Sequence, residues 1–417
     1  MRDTLIVLNY QREIPPFMQS ILHFADEIFD KVIYITPELY NDNRSACRAP
    51  SLKVYQVPRS RWRKSFLKLP AAMLRCDTRE QIKIAKLNNV LDTGFIKNLI
   101  VYAVCPEVLY FGFQEVLQRE SIDTKRCVVL SAWFDVSAYA ATKIKENYSD
   151  IFVASYAHAF EVKKEVNPFA LYTYNVTKHT YCDEIVFISK TIKDNYFLQI
   201  ESIYNKKISE NNINVRYLGS EKAFFNAINK RSEDGVLRLV SCSGAVAVKR
   251  IHLIIEALAK WDGNQIHWTH LGGGPLLTEL QEQAHTLLGK KENVSFAFKG
   301  QLGNRQVQEY YATQPIDLFI NVSGSEGLPV SLMECMSYGI PAIATDVGGN
   351  REIVTEKTGF LLDKEFSSED LCKVIRKYID FPDTIKDSYR RAAYSLWNEA
   401  FNGEKNARDF LTYLSKK

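Results

Sequence analysis

Two glutamates stand beside a glycine-containing loop, and their spacing suggests what they bind. Seven residues separate Glu326 from Glu334, and Gly324 and Gly327 flank the first of them. Glycine has no Cβ, so backbone N–H groups of this loop can approach an anion, and a helix that begins near Pro329 adds partial positive charge. Carboxylates are unfavourable against a phosphate but favourable where they accept hydrogen bonds from vicinal hydroxyls. The pattern therefore predicts a nucleotide-sugar site, with one glutamate on the ribose and the other on the sugar.

These residues need strands and helices to position them. The segment Ile316–Asn350 is predicted to contain, in chain order, a strand (Ile316–Val322), a loop (Ser323–Leu328), a helix (Pro329–Tyr338), a second strand (Pro341–Thr345) and a Gly348-Gly349 turn. The rest of the C-terminal half alternates in the same way, with predicted strands at Leu237–Cys242, Ile266–Leu271 and Val294–Phe298. Apolar residues at helical spacing follow the first of these strands, at positions 251, 254, 255 and 258.

The N-terminal half shows a fainter version of this alternation. Its candidate strands are Thr4–Leu8, Val32–Thr36, Lys53–Val57, Cys127–Leu130, Ile151–Ser155 and Glu184–Ile188. Alternating strands and helices predict parallel sheets covered on both faces. The predicted fold class is α/β, with two doubly wound Rossmann-like domains facing an interdomain cleft, because open α/β sheets bind ligands at the carboxyl ends of their strands. The charged segment Ser220–Gly235 is the predicted linker.

Composition excludes several classes of protein. A chain of 417 residues predicts two or three domains, and a net charge of +4 gives no overall footprint for nucleic acid. The eight cysteines show no metal-ligand spacing, which favours reduced thiols and no structural zinc. The N-terminus lacks the pattern of a signal peptide. The apolar segment Leu99–Leu109 is expected to be broken at Pro106 and Glu107 and too short for a bilayer, so a cytoplasmic location is expected, either free or peripheral on the inner membrane face.

At this point a family resemblance becomes specific. The run Ser325–Glu334, followed by Gly339-Ile340-Pro341, closely resembles the donor-site motif of the retaining glycosyltransferases of family 4, the group 1 glycosyl transferases with the GT-B fold. Further matches occur in the family's order, at Ala157–Glu161, Ile188-Ser189, Leu218-Gly219, Lys249, Gly272–Pro275, Val294, Phe296, Gly300, Asp346, Gly348, Gly349, Glu352 and Ile353. The resemblance is strong from Leu237 to Asp363 and patchy in the N-terminal half.

The resemblance implies a role for each matching residue. Glu334 would accept hydrogen bonds from the ribose, and Glu326 from the transferred sugar. Lys249 would neutralise the diphosphate and stabilise the charge that grows as the glycosidic bond breaks. His158 would reach the donor sugar. Backbone groups of Gly327, Leu328 and Pro329 would surround the sugar and the phosphates. The other implied donor-binding residues are Gly244, Arg250 and Gly274.

Some of these residues have other interpretations. The Gly272–Pro275 segment alone could be only a tight turn, and Lys249 could be a solvated residue at a helix start. His158 could be a structural histidine that follows a buried strand. The family's arginine, five residues before the lysine, is Gly244 here, so Arg250 or another residue would have to supply the second cation. The first loop of the chain, Asn9–Pro15, is bulky where the family has glycines.

A basic and aromatic segment, Arg59–Leu69, is the strongest local run of charge. It combines five cations with Trp62, Phe66, Leu67 and Leu69, a mixture that suits an anionic membrane surface. A solvated loop or a partly buried helix explains the same composition. Membrane contact would suit a lipid-linked acceptor, such as a polyprenyl-diphosphate sugar, and nucleic acid is not an expected partner.

The sequence therefore predicts a retaining, metal-independent hexosyltransferase that uses a nucleotide diphosphate-sugar, with UDP favoured, and no other cofactor. The expected acceptor is lipid-linked or an oligosaccharide, in surface polysaccharide biosynthesis. The expected domains are an acceptor-binding domain (1–222), a donor-binding domain (223–395) and a C-terminal helix that crosses back (396–417). Two alternatives stay open, namely a catalytically silent scaffold of the same fold that regulates a partner and a nucleotide-sugar epimerase.

Overall fold

The computed structural model describes residues 1–11, 13–37, 47, 49–164, 167–224 and 228–417, without the side chain of Arg59. The chain divides into two compact units. The first contains Met1–Leu218 and Glu404–Lys417, and the second contains Gly219–Gly403. Arg12, in the bulky first loop, and residues 225–227, in the predicted linker, lie outside the described residues.

The first unit is built on a parallel sheet of seven strands in the order β3-β2-β1-β4-β5-β6-β7. Its strands are β1 (Thr4–Leu8), β2 (Lys31–Thr36), β3 (Leu52–Gln56), β4 (Cys127–Ser131), β5 (Phe152–Ala157), β6 (Glu184–Phe187) and β7 (Ile213–Val215). β1 is central, with Thr4 in register with Lys31 on one side and Cys127 on the other. All five residues of β1 are buried, as expected for a parallel strand covered on both faces.

The second unit is built on a parallel sheet of six strands in the order β10-β9-β8-β11-β12-β13. Its strands are β8 (Leu237–Cys242), β9 (Ile266–Leu271), β10 (Val294–Phe298), β11 (Leu318–Asn321), β12 (Ala342–Thr345) and β13 (Gly359–Leu362). The strand order reverses direction between β8 and β11, which are neighbours. The loops that follow these two strands therefore meet at the carboxyl edge of the sheet, where doubly wound folds bind ligands.

Helices cover both sheets. They are α1 (Pro16–Leu22), α2 (Arg59–Leu67), α3 (Leu69–Leu74), α4 (Cys76–Leu87), α5 (Thr93–Arg119), α6 (Val136–Asn147), α7 (Ala159–Val162), α8 (Asn175–Tyr181), α9 (Lys190–Tyr204), α10 (His252–Lys260), α11 (Leu277–Leu288), α12 (Asn304–Thr313), α13 (Val330–Ser337), α14 (Asn350–Ile353), α15 (Ser368–Ile379), α16 (Asp383–Leu396) and α17 (Gly403–Ser415). The apolar stripe expected after β8 is the buried face of α10, with Ile254, Ile255 and Leu258 in the core of the second unit.

The chain passes between the units twice, near Gly219 and near Gly403. The two passages are hydrogen-bonded to each other: the Ser220 N–H donates to the Phe401 carbonyl (2.9 Å), and the Gly403 N–H donates to the Ser220 carbonyl (3.0 Å). The described residues of the expected linker therefore belong to the second unit. The segment that rejoins the first unit is Glu404–Lys417, and α17 adds Phe410 and Leu411 to the core there.

The expectation that Pro106 and Glu107 interrupt the apolar segment is wrong. Both residues lie inside α5, which continues from Thr93 to Arg119. Proline removes one helical hydrogen bond, but α5 is held by core side chains on both sides of Pro106, including Leu99 and Phe113. By length and composition α5 is apolar enough to cross a membrane, and 67% of its most apolar stretch is buried.

Candidate active site

The Lys249 ammonium and the Glu326 carboxylate are paired at the carboxyl edge of the second sheet. Lys249 Nζ lies 2.7 Å from Glu326 Oε1, and the Asn321 amide donates to the same oxygen at 3.3 Å. Lys249 ends the short 3-10 turn Ala247–Lys249, and α10 begins only at His252, so Lys249 lies before the helix and not at its start. The loops after β8 and β11 thus bring together a cation and an anion that the sequence places 77 residues apart.

Arg250 has a different set of partners from its neighbour. Its Nε donates to the Val322 carbonyl (2.8 Å) and its Nη2 to the Ser323 carbonyl (3.3 Å), both at the end of β11. In return, the Gly324 N–H donates to the Val248 carbonyl (2.8 Å). Arg250 therefore fastens the two loops together, and a role on a diphosphate stays a prediction.

The glycine turn after β9 packs directly on the loop after β8. Gly272 has a φ of +142°, and a Cβ built there would lie 1.9 Å from the Ser243 carbonyl oxygen. A Cβ on Gly274 would lie 2.7 Å from the Ala245 carbonyl oxygen. At Gly244, by contrast, the nearest atom to a built Cβ is 3.8 Å away, so this position has room for the start of a side chain. Side chains are thus excluded from the turn but not from the position where the family has arginine.

A second glycine turn supports the loop that carries Glu326. The Gly349 N–H donates to the Gly327 carbonyl at 2.7 Å. Gly348 has a φ of +55°, and a Cβ there would lie 2.0 Å from the Glu326 carbonyl oxygen. The Gly348-Gly349 turn therefore supports the backbone of Glu326 and Gly327, and the close contact leaves no room for a side chain at Gly348.

The helix after this loop begins one residue later than the sequence indicates. Pro329 is the residue before the helix, with φ −73° and ψ 117°, and Leu328 precedes it. The first N–H groups of α13 have no carbonyl partner within the helix, as at every helix N-terminus. They add partial positive charge at the end of the loop that carries Glu326.

Glu334 lies in a different environment from Glu326. It is 6% exposed, and burial raises its pKa to about 7. The side-chain amide of Asn304 donates to its Oε1, which opposes this rise. Among the described residues no lysine, arginine or histidine forms an ion pair with Glu334. Its second carboxylate oxygen is thus a hydrogen-bond acceptor without a competing cation.

Comparisons with known proteins bear on this second unit first. Residues 223–395 match the family model of the glycosyl transferases group 1. These residues lie within the second unit, and the matched segment is referred to below as the group 1 domain. Over 145 residues the chain is 30% identical to the O-antigen biosynthesis glycosyltransferase WbnH of Escherichia coli, covering 35% of this chain and 38% of WbnH. Over 177 residues it is 25% identical to the amylovoran biosynthesis glycosyltransferase AmsK of Erwinia amylovora, covering 39% and 41%. The chain thus spans less than half of the length of these curated relatives.

Solved structures resemble the chain over its whole length. Alr3699/HepE of Anabaena, crystallised with UDP, gives a TM-score of 0.66 at 15% identity and covers 100% of both chains. The lipopolysaccharide outer core galactosyltransferase WaaB, in its apo form, gives 0.66 at 16% identity, also over 100% of both. The predicted fold class, two doubly wound Rossmann-like domains of the GT-B type, is confirmed.

The group 1 domain contains a residue that the sequence analysis missed. Asn304, at the start of α12, holds Glu334 and in turn accepts a hydrogen bond from Gln308 Nε2 (2.9 Å). The Gln308 amide oxygen accepts from the Tyr338 hydroxyl (3.1 Å) and from the Ala223 N–H (2.6 Å). The sequence signal for Asn304 was its position alone, at the start of the helix that follows a strand and the Gly300 turn.

His158 lies outside the group 1 domain, at the end of β5 in the first unit. Its ring packs between Phe17 and Trp133, with centroid distances of 4.5 Å to each. Its backbone N–H donates to Glu161 Oε2 at 2.7 Å, whereas its two ring nitrogens are buried without a hydrogen-bond partner among the described residues. His158 is therefore held by packing; its Nδ1 faces the Glu161 carboxylate, 3.6 Å from Oε2, and its Nε2 has no hydrogen-bond partner among the described residues.

No group of three or more histidine, cysteine, aspartate or glutamate side chains that could hold a metal ion occurs in the described part of the chain. The eight cysteines are free thiols, and Cys335, next to Glu334, is buried.

Proposed function

We propose that this chain is a retaining, metal-independent glycosyltransferase of family 4 that transfers a hexose from a nucleotide diphosphate-sugar, with UDP favoured. The proposed acceptor is a lipid-linked or polysaccharide chain in surface polysaccharide biosynthesis, at the inner face of the membrane. The group 1 domain supports the activity. The names of WbnH and AmsK support the pathway class, and the UDP bound by HepE supports the nucleotide.

The observation that carries the proposal is the contrast between two glutamates in one loop–helix element. Glu326 is paired with Lys249, and Glu334 is buried without a cation. A nucleotide-sugar matches this contrast, because its diphosphate requires a cation and its ribose hydroxyls require an acceptor. Glu326 would then turn from the ammonium to the hydroxyls of the sugar when the diphosphate takes Lys249.

The proposed reaction needs no protein nucleophile. The bond between the anomeric carbon and the diphosphate breaks, and the acceptor oxygen bonds to the same face of that carbon. The proton of the acceptor hydroxyl passes to the leaving diphosphate. Lys249 and the N-terminal amides of α13 would stabilise the negative charge that develops on the leaving group. His158 would contact the donor sugar through a ring nitrogen.

The test separates the two glutamates by UDP titration and by UDP-sugar turnover. For Glu334→Gln we expect UDP affinity to fall on the order of tenfold or more, since a hydrogen bond to a charged group is lost. For Glu326→Gln we expect UDP to bind as tightly as to wild type or more tightly, because a negative charge beside Lys249 is removed. Its turnover should nevertheless fall on the order of a hundredfold.

Glu356→Gln, an exposed change in the same unit, is the matched control and should alter neither quantity. Equal behaviour of the Glu326 and Glu334 variants would contradict the assignment of separate roles. A protein that binds none of UDP, GDP and ADP would be a silent scaffold, and conversion of the donor sugar without an acceptor would indicate an epimerase. The anomeric configuration of the product tests retention, and turnover in EDTA tests metal independence.

A further inference from the structure

Exposed apolar side chains are concentrated in one helical stretch of the first unit. Of the seventeen large hydrophobic side chains exposed in the described chain, eight lie between positions 66 and 101. They are Phe66, Leu67, Leu74, Leu87, Leu91, Ile96, Ile100 and Val101. Leu67 is 81% exposed and Leu87 72% exposed. Single exposed apolar residues need no explanation, but a concentration of this kind marks an interaction surface.

The same stretch carries an excess of positive charge. From position 60 to 101 the exposed cations are Arg63, Lys64, Lys68, Arg79, Lys83, Lys86 and Lys97, and the exposed anions are Glu80 and Asp92. Asp92 accepts the Phe95 N–H as the cap of α5. The whole chain has a net charge of only +4. The positive charge is therefore local to this surface.

Packing determines which part of the basic segment faces outward. On α2, Arg61 pairs with Glu115 of α5, and Lys68, just after α2, pairs with Glu107 of α5 at 2.9 Å. Arg61 and Lys68, two of the cations expected to meet a membrane, are thus already paired to the protein, so Lys68 is exposed but does not add to the unpaired positive charge of this surface. α2 therefore lies antiparallel to the second half of α5, and α3 packs on α4 and on α5.

The remaining side chains of α2 divide between two faces. Ser65 is buried, and Trp62 is half-buried against the core of the first unit, so Trp62 is not the anchor that its aromatic character suggests. Arg63, Lys64 and Phe66 are exposed, together with Leu67. The outward face of α2 thus presents two cations next to two apolar side chains.

We propose that the outer face of α2, α3, α4 and the first turns of α5 is a docking surface for an anionic lipid bilayer. A bilayer surface supplies both environments that this face requires, since its phosphates attract the lysines and its acyl boundary accepts leucine and isoleucine. Lysine is depleted in the cores of protein interfaces, which disfavours a protein partner. Nucleic acid would leave the exposed leucines in water.

The experiment is flotation of the purified full chain with vesicles of phosphatidylcholine alone or of equal parts phosphatidylcholine and phosphatidylglycerol. We expect binding to the anionic vesicles and weaker binding to the neutral ones. Arg63→Gln with Lys64→Gln should lower binding on the order of tenfold and reduce its salt dependence. Leu67→Asn with Leu74→Asn should lower binding to a comparable extent at any salt concentration.

Matched controls exist elsewhere in the first unit. Lys206→Gln with Lys207→Gln removes two adjacent exposed lysines, and Leu198→Asn replaces a leucine that is 73% exposed. Both controls should bind vesicles like wild type, with circular dichroism confirming the fold of every variant. Equal losses in the controls, equal binding to neutral vesicles, or no vesicle binding by wild type would each overturn the proposal. UDP titration reports separately on the donor site, so a failure of either proposal is distinguishable from a failure of the other.

Discussion

The carboxyl edges of the two sheets have the same strand topology but are packed differently, one through glycine backbone and the other through aromatic rings. In both sheets the strand order reverses beside the first strand, β1 in one and β8 in the other. At the edge of the second sheet, turns of glycine pack backbone against backbone, as Gly272 does on Ser243. At the edge of the first sheet, rings pack on rings, as His158 does on Phe17. Fold alone therefore does not decide what either edge binds.

The difference teaches what each edge can offer a ligand. Glycine turns let N–H groups and a lysine approach an anion, which suits a diphosphate. The aromatic edge has buried ring nitrogens without hydrogen-bond partners among the described residues, on His158 and on Trp133. Buried polar atoms of this kind cost stability unless something satisfies them. The first edge is thus organised by side chains and the second by the backbone.

The largest expected effect comes from adding a side chain to the backbone-packed edge. Gly272→Ala places a Cβ 1.9 Å from the Ser243 carbonyl oxygen at a φ of +142°, so the turn must move. We expect a loss of more than about 3 kcal/mol in the free energy of unfolding and the loss of stabilisation by UDP. Urea unfolding with and without UDP measures both quantities.

Gly235→Ala is the control for this change. Gly235 also has a positive φ, +80°, but nothing lies within 4 Å of a built Cβ. We expect a cost of about 1 kcal/mol from backbone strain alone, with UDP stabilisation preserved. If both alanines cost the same, the glycine turns are not closely packed and the contrast between the two edges fails.

The sequence predicts the carboxyl edge of the second sheet because its strands and glycine turns are each encoded in a short stretch of residues. Predicted strands such as Thr4–Leu8, Leu237–Cys242 and Ile266–Leu271 have the observed bounds, since their apolar runs end at turn residues. The short edge strands β7 and β13 were missed, because three or four residues carry too little pattern. Pro106 was misjudged, because its tolerance depends on the packing of the whole helix around it.

The site shows the same division between local and long-range features. Glu326 and Glu334 belong to one motif and were identified, whereas their partners come from distant loops. Asn304 lies 30 residues before Glu334, and only the fold of the second unit brings its amide to the carboxylate. The ion pair between Lys249 and Glu326 is likewise not predictable from the sequence, because the two residues lie 77 positions apart.

The next largest effect is the pH dependence of stability that comes from the buried Glu334 carboxylate, at the edge of the second sheet. Burial raises the pKa of Glu334 from 4.5 to about 7. The folded protein then binds this proton more tightly than the unfolded chain, so the stabilisation is complete below pH 4.5 and is lost as the pH rises through about 7. Relative to Glu334→Gln, wild type should lose about 3 kcal/mol of unfolding free energy across this window.

UDP affinity should change in the opposite direction with pH, because ribose hydroxyls donate best to the ionised carboxylate. We expect UDP to bind more tightly to wild type as the pH rises through about 7, beyond any change seen with Glu334→Gln. The variant corrects for titration of the phosphates of UDP itself. Parallel pH profiles of wild type and variant, in unfolding and in UDP titration, would refute the raised pKa and the ribose role.

A smaller effect is expected for the hydrogen bond that holds this carboxylate. Asn304→Ala removes the amide that donates to Glu334, so UDP affinity should fall on the order of fivefold. The Asn304 hydrogen bond lowers the pKa of Glu334, and its loss should move the pH midpoint of UDP binding upward. Gln306→Ala, in the same turn of α12, removes only a hydrogen bond to the Gly303 N–H and should leave the midpoint in place. An unchanged midpoint in Asn304→Ala would mean that Asn304 does not position Glu334.

The smallest expected effect is the change in UDP affinity when the aromatic edge of the first sheet is altered. His158→Phe keeps a ring between Phe17 and Trp133 and removes two nitrogens that make no hydrogen bond in the described chain, so stability should be largely preserved. The substitution also removes the contact of Nδ1 with the Glu161 carboxylate at 3.6 Å, which is too long for a hydrogen bond. UDP affinity should stay within about twofold of wild type, because the second unit supplies the proposed nucleotide contacts. Turnover should fall if a ring nitrogen contacts the sugar.

His179→Phe is the control for this substitution. The His179 ring is hydrogen-bonded to the Tyr196 hydroxyl at 2.8 Å, so the same substitution should destabilise the fold. Full turnover in His158→Phe would show that the first edge contributes shape and no hydrogen bond to the reaction.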